Sequence, residues 1–124
     1  MVLMSVGAPN QVIPKPTGET KAKGYKLVGT AYDVVCEFTV TKGKTFHPAK
    51  ITASAKDDFW VKLCFAGEDI SIEYYVSAGV PFTDWFPWDW NPCVGDGFKK
   101  VQLKAKSETS ATATVYGEIC GEEA

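Results

Sequence analysis

The sequence predicts an all-β protein: an antiparallel β-sandwich, jelly-roll-like, with an extended N-terminal arm. Three observations carry this. Apolar and polar residues alternate with period two over several segments of seven to eleven residues, the pattern of strands buried on one face. No segment shows the 3.6-residue period of an amphipathic helix. The alternating segments are separated by short runs of turn residues, the spacing of a sandwich or barrel rather than of βαβ units.

The elements follow in order. Residues 1–24 form the arm and 25–124 a single sandwich domain. In the arm Pro9, Pro14 and Pro16 sit among Gly7, Gly18 and Gly24. Proline removes a donor and fixes φ, so this stretch predicts an extended strip rather than a helix or a central strand. Val12 and Ile13 are its apolar pair and candidates for contact with a neighbour.

Residues 30–40 put Tyr32, Val34, Cys36, Phe38 and Val40 on one face, with Val35 breaking the alternation. Thr41 to Lys44 is a turn. Residues 49–55 turn Ile51, Ala53 and Ala55 inward, and Lys56-Asp57-Asp58 closes them. Residues 59–65 place Phe59, Val61, Leu63 and Phe65 opposite Trp60, Lys62 and Cys64, and Ala66 to Asp69 is a short hairpin loop. Residues 70–76 continue as a strand. Residues 77–97 are irregular and suit a crossover between sheets. The chain closes with a hairpin in which 99–106 (Val101, Leu103 and Ala105 inward) pairs with 111–119 (Ala111, Ala113, Val115, Gly117 and Ile119 on one face).

Composition restricts function. The 124 residues hold thirteen lysines, no arginine and fifteen acids, for a net charge of −2. That balance does not fit a nucleic-acid surface, and bidentate guanidinium clamps are excluded. With His47 as the sole histidine, sites needing two are excluded. No nucleophile elbow, phosphate loop or dinucleotide fingerprint occurs, so no cofactor and no catalytic group is expected. The first nine residues lack the basic and long apolar regions of a secretory signal, and no run reaches the roughly 20 apolar residues of a membrane span.

Cys36, Cys64, Cys93 and Cys120 lie 27–29 residues apart without a C-x-x-C. They read as buried free thiols, with two disulfides as the alternative. Asp57, Asp58, Glu68, Asp69 and Asp96 lie in turns, where they either support the turn or hold calcium. His47 precedes Pro48 and is expected in a loop leading into a strand. Lys99, Lys100, Lys104 and Lys106 read as protection of an edge strand.

The segment Pro81-Phe82-Thr83-Asp84-Trp85-Phe86-Pro87-Trp88-Asp89-Trp90-Asn91-Pro92 stands out. Phe82, Trp85, Phe86, Trp88 and Trp90 are the candidate ligand or interface residues. Such rings cap a core, pack on a neighbouring chain, or form a sugar platform with Asp84, Asp89 and Asn91. Because Trp60 lies on the polar face of its strand, Trp85 is expected to be the more buried of the two.

The organisation of residues 30–119 resembles the capsid decoration (cement) proteins of tailed bacteriophages and related jelly-roll modules of phage fibres. The resemblance rests on Phe38-Thr39-Val40 followed by Thr41-Lys42-Gly43-Lys44-Thr45-Phe46, then Lys50-Ile51-Thr52-Ala53-Ser54-Ala55, the Pro81–Trp88 loop, Gly95-Asp96-Gly97 and the lysine-rich close. It implies a non-enzymatic virion protein, often a homotrimer, that binds the major capsid protein and copies of itself with arms reaching neighbours. The alternatives are a carbohydrate-binding module built on the Trp85–Trp90 loop, and a filament subunit whose arm donates a strand.

Overall fold

A computed structural model of the chain describes residues 18–109 and 111–124; Val12 and Ile13 lie outside the described residues. Ten strands are present among the described residues: β1 (Thr20–Val28), β2 (Asp33–Thr39), β3 (Thr45–Ser54), β4 (Phe59–Phe65), β5 (Glu68–Asp69), β6 (Tyr74–Val76), β7 (Phe82–Trp85), β8 (Cys93–Val94), β9 (Lys100–Ser107) and β10 (Ala113–Glu123). Sheet I has the order β2-β9-β4-β5, with β6 also on β4. Sheet II has the order β1-β10-β3-β7, with β8 also on β3.

Every pairing is antiparallel, and one set of them nests. β1 pairs with β10, β2 with β9, β3 with β7 and β8, and β4 with β5 and β6. The chain is thus one long hairpin wound into two layers, which is the jelly-roll-like sandwich expected. Its innermost turn is Ala66-Gly67, both with positive φ (54° and 83°). That is the two-residue geometry whose twist matches the strands it joins.

The core lies between the sheets. Sheet I contributes Phe59, Val61, Leu63, Val101 and Leu103, and sheet II contributes Phe46, Ile51, Val115 and Ile119, all fully buried. Each such side chain contributes about 1.5–3 kcal/mol by leaving water. Phe38 meets Phe46 edge-on, with ring centroids 4.7 Å apart.

Four expectations need correction. Residues 99–106 and 111–119 do not form a hairpin: β9 lies in sheet I and β10 in sheet II. Alternation reports which face is buried, not which strand is the partner; these two strands face each other across the core. For the same reason the lysine-rich β9 is not an edge. It lies between β2 and β4, and its lysines point from the solvent face of a central strand. The strand expected at 70–76 shrinks to β6, and Ile72 is exposed. Residues 20–24, assigned to the arm, form the first half of β1 on β10; Gly24 is accepted there because β1 is an outer strand.

The Val35 irregularity has a structural cause. Leu103 is opposite Cys36 while Lys104 is opposite Val34, which leaves Val35 as the extra residue of a β-bulge. Both Val35 and Cys36 therefore turn inward and are buried.

Candidate functional site

The aromatic segment is the outer edge of sheet II. β7 pairs with β3 from Ala53 opposite Phe82 to Lys50 opposite Trp85, and β8 rejoins β3 at Phe46 and Thr45. Between them residues 87–92 leave the ladder. Proline explains the interruption. Pro48 inside β3 has no N–H to give, and neither do Pro87 and Pro92. The last bond before the excursion is Phe86 N–H to Ala49 C=O (2.8 Å), and a turn follows with Trp90 N–H on Pro87 C=O (3.0 Å). On the other side of Pro48, β10 shifts register between Cys120 and Gly121. His47 and Pro48 therefore lie within β3, not in a loop before it, because the ladder is relaxed on both sides of the proline.

The five candidate rings go to three places. Phe86 is buried in the core and stacks on Trp90, centroids 4.0 Å apart and 7° from parallel. Phe82 packs against the same core and against Tyr74 (4.9 Å). Trp88 stacks on His47 (3.7 Å, 14°), whose Nδ1 is 3.2 Å from the Trp88 carbonyl oxygen. Trp85 points outward, 63% exposed, with the Lys50 ammonium 4.8 Å from the ring centroid. This reverses the expected burial order: Trp60 is half-buried, edge-on to Tyr75, and its indole N–H donates to Glu108. The polar face of a strand can still be covered by neighbouring side chains, and strand alternation does not register that.

The polar residues of the segment are engaged locally. The Tyr74 hydroxyl donates to Asp84 Oδ2 at 2.6 Å, tying β6 of sheet I to β7 of sheet II. Burial, and then the Asp84 carboxylate, hold that phenol above its ordinary range. Asn91 Nδ2 donates to the Ile70 carbonyl (3.1 Å), and the Cys93 thiol to the Asn91 carbonyl (3.3 Å).

Two further exposed residues lie along this edge and escaped sequence reading. Val94 is exposed, and Phe98 is 85% exposed. Asp96 Oδ1 accepts the N–H groups of Phe98 and Lys99, both at 2.8 Å, so the Gly95-Asp96-Gly97 turn holds Phe98 outward. Those backbone bonds keep the Asp96 carboxyl below its usual range. The signal was an Asx turn followed by an aromatic residue.

The first described residues meet the fold at this same end. Gly121 N–H bonds Glu19 C=O (2.8 Å), Lys21 pairs with Glu123 (3.0 Å), and Thr45, opposite Val94, exchanges backbone bonds with Ala124 (3.0 and 2.9 Å).

Two of the other turn acids are occupied too. Asp58 accepts from Ala78 N–H (2.7 Å), and Asp69 pairs with Lys62 (3.0 Å) and takes the Cys64 thiol proton donor (3.2 Å). Among the described residues no three potential metal ligands cluster. The four cysteines are buried and unpaired. Burial pushes the Cys36 and Cys93 thiols up to about 12. Burial and the Asp69 hydrogen bond push Cys64 up to about 11. Thiols held this far from ionisation are poor nucleophiles. No family model, curated protein or solved structure matches the chain.

Proposed function

We propose that the chain is a non-enzymatic structural protein of a virion, binding and stabilising a phage capsid through its N-terminal arm and the aromatic edge of sheet II, with copies of itself and the major capsid protein as partners. The observation that carries this reading is the edge itself. Trp85 on β7 and Val94 on β8 stand exposed, as do Val80 just before β7 and Phe98 in the turn after β8. Stacked rings beside Trp85 and an Asx turn before Phe98 fix this edge. Exposed apolar side chains gathered at one edge of a well-packed small domain mark a contact surface. β1 starts at the end of the sandwich where Thr45 pairs with Val94. Many weak copies on a symmetric shell give avidity.

The same edge favours side-chain contact over strand donation. Pro81, Pro87 and Pro92 punctuate it, and Lys21, Lys23 and Lys26 line the opposite edge strand β1; both features oppose added strands.

The test uses purified virions from the source of the sequence. An antibody to the chain should label the shell at regular positions, and the isolated protein should rebind stripped particles. Trp85→Ala with Phe98→Ser should lower occupancy without changing the melting temperature. Particles devoid of the protein, or rebinding indifferent both to these substitutions and to deletion of residues 1–17, would refute the assignment.

A further inference from the structure

The outer face of sheet II carries a groove of about 650 Å³ that no part of the preceding reading uses. Clefts that hold small ligands are about 300–1,000 Å³. Its origin is in the backbone. Gly24 and Gly117 lie directly opposite one another, with Ala53 next across. Small inward positions let sheet I press close: a Cβ on Gly117 would stand 2.5 Å from Leu103 Cδ2, and one on Gly24 would stand 3.3 Å from the Val35 carbonyl oxygen. The outer surface sinks over this strip.

Two kinds of wall flank it. On one side are Tyr25 and Tyr116, 69% and 55% exposed, their ring centroids 5.5 Å apart and their planes 40° from each other. On the other, one cross-strand row runs Lys23, Glu118, Thr52, Thr83. Glu118 is fixed in place by hydrogen bonds from the Thr20 hydroxyl and from Thr52 (3.4 Å). Two carboxylate oxygens retain further acceptor capacity beyond those two bonds.

The lining chooses among ligands. One ammonium and one carboxylate leave the row without net charge, which disfavours phosphate-bearing or polyacidic ligands. A peptide strand has no ladder to join, because the floor is β1, β10 and β3, already paired with one another. A wholly apolar ligand would desolvate Lys23, Glu118 and two threonine hydroxyls without replacing their water bonds. What remains is a neutral molecule whose C–H faces suit phenol rings and whose hydroxyls both donate and accept.

We infer that this groove binds a short neutral oligosaccharide, with a pyranose ring against Tyr25 and Tyr116 and its hydroxyls bonded to Lys23, Glu118, Thr52 and Thr83. The site is separate from the Trp85–Trp90 loop and independent of the proposed virion role.

The full-length protein, labelled with nitrogen-15, is titrated to millimolar concentrations with cellohexaose, maltohexaose and the hexamer of N-acetylglucosamine. At least one sugar should shift the amides of Tyr25, Thr52, Tyr116 and Glu118 saturably. Tyr116→Ala should weaken that binding about tenfold with an unchanged melting temperature, since the ring is exposed. Glu118→Gln, which keeps the shape, should weaken it as well. The inference fails if none of the three sugars shifts the groove amides, if the shifts survive Tyr116→Ala unaltered, or if they centre on Trp85.

Discussion

The two outer faces of this sandwich cover the same core but handle their polar and aromatic groups in opposite ways. The outer face of sheet I satisfies itself. Lys62 and Lys106 lie over the Tyr32 ring (4.2 and 4.9 Å), Lys62 pairs with Asp69, Lys100 with Glu37 (3.1 Å), and Gln102 donates to Glu37 (2.7 Å). The Tyr32 hydroxyl closes on Glu73 (2.6 Å). Like charges opposite each other, Lys62 and Lys104, are tolerated because carboxylates and a ring face surround them. The outer face of sheet II leaves Tyr25 and Tyr116 exposed beside a groove, and Trp85 exposed at its edge strand. A face that has internal partners for its charges is built for water; one that displays rings beside hydroxyls is built for contact.

Substitutions can break or sharpen that contrast. The largest effect should come from the core that both faces share. Leu103→Ala, fully buried between the sheets, is expected to cost about 2–5 kcal/mol, read as a shift in denaturant midpoint; a loss below that of an exposed substitution would contradict the packing described.

Next is the floor of the groove. Gly117→Ala drives a methyl into Leu103 and Val35 and is expected to cost about 1–3 kcal/mol. The double change Gly117→Ala with Leu103→Val should recover part of it. Full additivity of the two changes would mean that the sheets do not press together there.

The two tryptophans probe coverage directly. Trp60→Ala should lower the melting temperature clearly, whereas Trp85→Ala should stay within about 0.5 kcal/mol of the parent, as surface changes do. Equal shifts would erase the distinction between a covered and an uncovered aromatic.

The smallest effect concerns acid. The Gln102 hydrogen bond, and then Lys100, hold the Glu37 carboxyl below its ordinary 4.5. A carboxyl lowered on folding stabilises the fold above its unfolded value, and that contribution disappears as pH falls through the folded value. Thermal melts from neutral pH to pH 3 should therefore lose stability below about pH 4.5. Glu37→Gln should make the curve slightly shallower, since an exposed pair contributes at most about 1 kcal/mol. A curve identical to the parent's would show that the sheet I network adds nothing.

Much of the fold was legible in residue order. Ile51-Thr52-Ala53-Ser54 and Val101-Gln102-Leu103-Lys104 declare their buried faces by alternation alone, because side chains on a strand point to opposite sides by geometry. Even Val35, which broke the pattern, marked a real bulge. The candidate site was legible only as a cluster of rings. Its division into a stacked pair on the core (buried Phe86 and half-buried Trp90), a histidine-stacked ring (Trp88) and an exposed ring (Trp85) depends on where β3 runs beneath it, and Pro48 in β3 lies far from Pro87 in sequence.

The sequence by itself determined the class of the fold, the inward residues of most strands, a short hairpin loop within residues 66–69 and the irregular stretch at the prolines of residues 77–97. These are local consequences of period, φ preference and missing donors. Only the tertiary structure decided that β9 and β10 separate into different sheets, that the lysines of β9 stand on a central strand, and that Gly24-Tyr25 meets Tyr116-Gly117. Register between strands some ninety residues apart is set by packing of the whole core, and no local pattern specifies which face meets which.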